Sequence, residues 1–347
     1  MGGAGLVVMC ASLDELVPGQ GWDQAGHRLL ESGLRAINAD DLSLFSGAVG
    51  YMAAAWLSSK NGSRYRSLTA SLEETLLPSM QAFARRPPGG PDSYDVVNGI
   101  AGWAGYLCCR KGDPAIERTA EAAAEALAAV LSPDGLGRIR YMRDSVARVD
   151  CGMAHGVAGL VAALSLLETT YGLGGRSLRW GVSWLADQVE TQPAGLLWPS
   201  TSPSTGEILD EGSWCHGSSG IAHALYLASV ATGSSHHRDL AVSAMLTQQP
   251  ALASPNLCHG MAGQLLLMLS VAHGTGHKAL RDAARRLAGR LAAAYQPESL
   301  LGYLDVEQPG GEVDNPGLMR GAAGVCLALL AAEQPCMPAW ARMLLLL

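Results

Sequence analysis

Phenylalanine is almost missing from this chain of 347 residues, with two in all, and aromatic residues together make up only 5%. Sheet proteins draw on aromatic and β-branched side chains, so this scarcity beside abundant Ala and Leu favours packed helices. Charge is sparse at 16% and nets to −7. With no block of lysine or arginine, a nucleic-acid groove is excluded as the main business of the surface. The longest strongly apolar stretch, around residues 265–272, falls well short of the roughly 20 residues of a membrane span. Residues 2–10 are apolar but short and follow no basic residue, so a signal peptide is not expected. Neither a Gly-x-Ser-x-Gly elbow nor a Gly-Lys-Ser/Thr phosphate loop is present, and Gly172-Leu173-Gly174-Gly175 follows no strand pattern. ATP and nicotinamide cofactors are therefore not implied.

Cysteine is present but makes no framework. The eight residues at 10, 108, 109, 151, 215, 258, 326 and 336 are scattered through a chain too large to need disulfide staples. A cytoplasmic protein with free or metal-bound thiols is the expectation. Two polar, Pro- and Gly-containing stretches, 193–210 and 308–316, read as long exposed loops.

Glycine, at 42 residues, exceeds what helices tolerate unless it has a structural task. A Gly-x-x-Gly step followed by an apolar run recurs at Gly47/Gly50, Gly99/Gly102, Gly156/Gly159, Gly217/Gly220, Gly260/Gly263 and Gly321/Gly324, at intervals of 43 to 61 residues. Each interval has room for two helices and their loops, the mark of a helical-hairpin repeat. The runs after the second glycine are apolar nearly all round and belong inside; segments such as 115–130 and 278–294 have one charged face and belong outside. The fold predicted is all-α, an α/α toroid of about six to seven hairpins, as one domain over residues 1–347 with the repeats in 45–330. The glycines are expected to permit close backbone approach or positive φ where each inner helix begins. Residues 343–347 are expected to pack as a last outer helix.

Inner helices that start at one end of the barrel gather their preceding residues at one mouth. Those residues are Ser46, Asn98, His155, His216, His259 and Arg320, with Cys215 and Cys258 one position earlier in two units and Asp95 four before Gly99. Cys215, Cys258 and His259 are ligands that zinc prefers, and three protein ligands leave a fourth position open, as catalytic sites do. An imidazole at His155 or His216 can take and return a proton near neutral pH.

The order Tyr94-Asp95-Val96-Val97-Asn98-Gly99, Gly152-Met153-Ala154-His155-Gly156, Ser213-Trp214-Cys215-His216-Gly217 and Cys258-His259-Gly260 resembles the lanthionine synthetase C family. The resemblance implies an α/α toroid of about seven hairpins and a Zn2+-dependent cyclase. Its partner would be a dehydrated precursor peptide, with a separate dehydratase as a further candidate partner, and with neither nucleic acid nor a membrane span involved. A cysteine thiol of the peptide would add to dehydroalanine or dehydrobutyrine, forming lanthionine or methyllanthionine. Cys215, Cys258 and His259 would hold the zinc, while His155, Asp95 and His216 would serve proton transfer, the choice of acid between the two histidines being open.

Two positions depart from the family pattern. His216 stands where members that act alone often carry tyrosine, which is similar to the cyclase portions of fused synthetases, and Glu211 stands where they tend to carry arginine. Two rival functions share the same residues: a zinc thiol transferase that joins a small thiol such as glutathione to a dehydro residue, and a non-catalytic peptide scaffold with a structural zinc closed by His216 or Cys151. Asp95 has a rival role as a cap of its own inner helix, and His223, deep in an apolar run, reads as a hydrogen-bonded core residue.

Overall fold

The structure, a computed structural model, describes residues 2–60, 62–140, 148–193, 195–203, 212–247, 252–306 and 311–347. Its helices in chain order are α1 (Gly3–Leu16), α2 (Trp22–Ala36), α3 (Ala48–Leu57), α4 (Arg66–Ala84), α5 (Pro91–Tyr94), α6 (Ala104–Cys109), α7 (Pro114–Val130), α8 (Val157–Tyr171), α9 (Gly175–Ala186), α10 (Ser218–Thr232), α11 (Ser235–Thr247), α12 (Met261–Thr275), α13 (Lys278–Ala293) and α14 (Ala322–Ala332). Short 3-10 turns at Ile100–Trp103 and Ala339–Leu344 add to them.

Burial divides these helices into two rings, as the apolar patterning requires. In α12 every residue from Met261 to Ala272 is buried, so the helix has no solvated face. Its partner α13 buries only Leu280, Ala284, Leu287 and Leu291, one stripe at alternating four- and three-residue spacing, and leaves its arginines outside. The inner helices α8, α10 and α12 end on left-handed glycines, Gly172, Gly233 and Gly276, which close the last turn without a Cβ penalty. Among the described residues the inner ring holds seven helices: α1, α3, α6, α8, α10, α12 and α14. It closes because α1 packs on both α3 and α14. The fold is therefore the expected helical toroid. The seventh unit is the N-terminal pair α1 and α2, whose own glycine step, Gly2/Gly5, lies outside the six steps identified from the spacing; Gly2 is the N-cap of α1 and Gly5 packs on Leu318 from the last unit.

The glycines act through close approach. Gly47, Gly99, Gly156, Gly217, Gly260 and Gly321 cap their helices in extended conformation, with φ between −85° and −144°, so positive φ is not their reason. A Cβ on Gly263 would instead collide with the carbonyl oxygen of Leu257 in the loop that leads into its helix. Gly263→Ala is expected to lower stability by about 1–3 kcal/mol, the usual cost of overpacking a tight interior, read as a lower urea midpoint at unchanged slope.

Those loops fold back over the helix starts. Met261 N donates to Ser254 O, Ala262 N to Pro255 O and Ala322 N to Asn315 O, so loop carbonyls satisfy N–H groups that a helix start leaves orphaned. Neighbouring loops are tied by backbone bonds from Val96 N to Ala154 O, from Ala154 N to Cys215 O, from Cys215 N to Cys258 O and from Cys258 N to Met319 O. The mouth is thus a ring of loops held in register by main chain.

Short two-stranded sheets decorate the connections: β1 (Val149–Asp150) pairs with β4 (Thr201–Ser202) across α8 and α9, while β2 (Glu190–Gln192) with β3 (Gly195–Leu197) and β5 (Leu304–Val306) with β6 (Glu312–Asp314) are hairpins, all antiparallel. The expectation of an exposed loop at 193–210 is corrected where that stretch is described: Leu197, Trp198, Ser200 and Thr201 are buried, with Trp198 N donating to Ser218 Oγ and Trp198 Nε1 to Leu185 O, each at 2.8 Å. In the stretch 308–316, by contrast, Glu312–Asp314 is exposed. Residues 194, 204–211 and 307–310 lie outside the described residues.

The C-terminal run corrects the expectation of an outer helix. Its 3-10 turn packs against α3 and α6 of the inner ring. Ser270 Oγ donates to Leu346 O at 2.6 Å, and Trp214 Nε1 donates to Leu344 O at 3.4 Å. Four consecutive leucines offer no face for water, so the segment is buried within the ring and not laid on its outside. The same network accounts for His223, whose Nε2 meets Ser270 Oγ at 2.8 Å. Full burial lowers its pKa to about 3, leaving a neutral core residue.

Candidate functional site

Each residue preceding a repeat glycine stands on the last turn of a buried loop and is itself at least partly exposed at the mouth. Beneath them lie three carboxylates, Asp95, Asp150 and Asp305, each only 2% exposed. A buried carboxylate needs partners, and here each meets one mouth residue. Asp95 Oδ2 meets His155 Nδ1 at 2.5 Å, Asp150 Oδ2 lies 3.9 Å from His216 Nε2, and Asp305 Oδ2 accepts from Arg320 Nη2 at 2.8 Å.

The N-cap of the 3-10 helix that follows is Gly99, not Asp95, and Asp95 is bonded through both oxygens. Its Oδ1 accepts from Asn98 N at 2.6 Å and from Gly99 N at 3.0 Å, pinning the turn ahead of the helix, while Oδ2 holds His155. The hydrogen bond with Asp95 is the main reason that the His155 imidazole keeps its proton to higher pH than usual; burial and the neighbouring His216 oppose it. With Nδ1 committed to Asp95, Nε2 is the nitrogen that His155 offers to the mouth. The rings of His155 and His216 lie 5.9 Å apart.

Asp150 was not among the residues singled out from sequence. It occupies the sixth position before Gly156, where other units carry Asp41, Ser254 and Asn315, and its Oδ1 accepts from Gly152 N at 2.7 Å in a tight turn. Burial pushes its carboxyl up, against the charge of His216. Asp305 and Asn256 were missed as well. Asn256 shares the register of Asp95 and Ser213, four before a repeat glycine, and could have been found there. Asp305 sits in β5, outside the repeat register, and only the fold brings it to the mouth.

The two thiols expected as metal ligands meet. Cys215 is held well below the usual thiol range, above all by a hydrogen bond from Cys258, with His216 and Ser213 adding to it against the opposing effect of burial. Ser213 Oγ lies 3.8 Å from its sulfur. His259, the third expected ligand, faces elsewhere. Its Nε2 lies 2.9 Å from Asn256 Nδ2, which in turn donates to Asp305 Oδ1 at 2.5 Å. Among the described residues no three His, Cys, Asp or Glu side chains converge as a metal centre. The donor chemistry still suits zinc, since two sulfurs are in contact, one with its pKa lowered, and an imidazole follows the second sulfur in sequence. Cys151, weighed as a fourth ligand, is fully buried with its pKa pushed far up by desolvation and by Asp150, so its thiol stays protonated. Glu211 lies outside the described residues.

A separate cavity lies away from the mouth. A cleft of about 810 Å³ opens between α1, α2 and α4, lined by Asp14, Lys60, Arg64 and Tyr65. It lies toward the C-terminal end of α3, away from the gathered helix starts. Among the described residues no helix is long and apolar enough to cross a membrane.

Comparison with known proteins agrees with this fold. The solved structure of nisin cyclase superposes with a TM-score of 0.81 at 17% sequence identity, covering 99% of this chain and 90% of that one. No curated protein matches the sequence. The family model described as lanthionine synthetase C-like protein matches residues 1–345, and with its toroid and repeated mouth loops the chain belongs to the lanthionine synthetase C-like family.

Proposed function

We propose that the protein is a thioether-forming cyclase that adds a cysteine thiol of a dehydrated peptide to dehydroalanine or dehydrobutyrine in the same peptide. The observation that carries this reading is the thiol pair Cys215 and Cys258 standing at one mouth with His155, an imidazole whose pKa is raised by its bond to a buried carboxylate. Cys215, Cys258 and His259 are the residues that would hold zinc, and zinc when bound supplies deprotonation of the incoming thiol at neutral pH.

The remaining steps fall to the chain's own groups. As the C–S bond forms at the β-carbon, the alkene electron pair moves toward the α-carbon and the adjoining amide oxygen. His155 delivers the Nε2 proton to the α-carbon, and Asp95 at Nδ1 keeps the ring oriented and stabilises its charge. The thiol proton leaves to His216, whose ring contacts the Cys215 sulfur and is backed by Asp150. Arg320, fixed by Asp305, places a cation on the same mouth for the developing enolate.

Ring closure leaves the peptide mass unchanged and consumes one thiol and one alkene. The test incubates the zinc-loaded protein with a peptide bearing one dehydroalanine and one cysteine, then treats it with a thiol-alkylating reagent. Loss of the alkylated mass at constant peptide mass is the expected result. With glutathione also present, a peptide that gains the mass of glutathione and keeps its own thiol would establish the transferase instead. A peptide unchanged in both respects would leave the scaffold reading.

A further inference from the structure

The side chain of Asn256 is oriented by two neighbours that leave it no choice. Its Oδ1 accepts from His259 N at 3.0 Å, and an N–H can only donate. Its Nδ2 donates to Asp305 Oδ1 at 2.5 Å, and a carboxylate already bonded to the Arg320 guanidinium can only accept. The group facing His259 Nε2 at 2.9 Å is therefore the amide NH2. Nε2 must accept, so the single proton of a neutral ring lies on Nδ1. In that tautomer neither nitrogen has a lone pair to give a metal: one is engaged by Asn256, the other is protonated.

From this geometry we propose that Asn256, backed by Asp305 and Arg320, is a latch on His259 that opens when metal is loaded. Two thiols stand assembled while the imidazole is kept in reserve. For His259 to become a ligand through either nitrogen the Asn256 bond at Nε2 has to break. Either the ring turns, or its one proton moves from Nδ1 to Nε2 and the amide withdraws; the proton count is unchanged in both. Asn256 and Asp305 are positioning residues here, acting on the metal only through His259. The inference rests on the zinc reading of the preceding subsection.

The experiment exchanges the two partners in Asn256→Asp/Asp305→Asn. The exchange keeps one amide and one carboxylate in contact but turns an acceptor toward Nε2. Such an acceptor favours the Nε2–H tautomer, whose Nδ1 lone pair is open, as in carboxylate–histidine–zinc triads. Competition with a chromophoric chelator is expected to show zinc held about tenfold more tightly in the double variant, in line with second-shell effects on metal sites. In parallel, 15N spectra of the metal-free wild type are expected to show His259 as the Nδ1–H tautomer. Zinc bound equally or more weakly by the double variant overturns the latch, as does an Nε2–H tautomer in the metal-free wild type. If neither protein binds zinc, the zinc reading fails, and the tautomer of metal-free His259 still decides for or against the latch.

Discussion

Cys215→Ala is expected to abolish ring formation and to lose the tightly held zinc expected of the wild type, with the helical fold retained. Two effects multiply. At pH 7 a thiol of ordinary pKa near 8.5 is only a few per cent ionised, so a peptide cysteine left to itself loses roughly 30-fold in reactive thiolate. Loss of the anchoring position costs about another 100-fold, a usual penalty for a displaced reacting atom. A combined fall of about 10³-fold in turnover is therefore expected, with metal content measured on the same preparation by elemental mass spectrometry. Cys215 is 7% exposed and its neighbour Trp214 is 1% exposed, so far-ultraviolet circular dichroism must be recorded to establish that the ring of helices persists. A variant with normal helicity, unchanged zinc and normal turnover would remove Cys215 from the site.

The toroid was legible because its main determinant is periodic. Glycine pairs at regular intervals, apolar runs without a polar face and amphipathic segments between them each report a local rule, and the rules agree. The N-terminal hairpin escaped because the apolar run that follows Gly2/Gly5 is short and soon broken by Ser12, Asp14 and Glu15. The C-terminal leucines misled for a different reason. Hydropathy says that such a run is buried but not on which side of a ring, and only the bonds from Ser270 and Trp214 place it inside.

The site was legible to the extent that repeat register predicts convergence. His155 and Asp95 come from adjacent units, 60 residues apart, and meet because Val96 N is bonded to Ala154 O beside them. Register predicts proximity of loops; it does not predict how a side chain turns. His259 has the right position for a zinc ligand, yet its ring faces Asn256, a choice made by Asp305 from a strand that carries no repeat signal. Asp150 was hidden by chemistry of another kind, since an aspartate that pins a turn looks the same in sequence as one that also faces a histidine.

His155→Asn is expected to keep zinc and lose turnover by about 10²–10⁴-fold, the range in which a positioned general acid contributes. Asp95→Asn is the more informative partner, because it should leave an acid in place and move its pKa. The carboxylate raises the pKa of His155 chiefly through the bond at Nδ1. An acid works while protonated, so the rate it supports is full below that pKa and declines as pH rises through it. Without the carboxylate the pKa falls, and the alkaline limb of the pH–rate profile should move to lower pH. Asp95 also pins the turn through Oδ1, and an asparagine keeps that acceptor for Asn98 N and Gly99 N, so the loop is expected to survive. A purely structural role for Asp95 would instead lower the rate by the same factor at every pH. An unshifted alkaline limb in Asp95→Asn would therefore assign the proton to another group, and His216, backed by Asp150 at 3.9 Å, is the imidazole to which the same pair of experiments would next be applied.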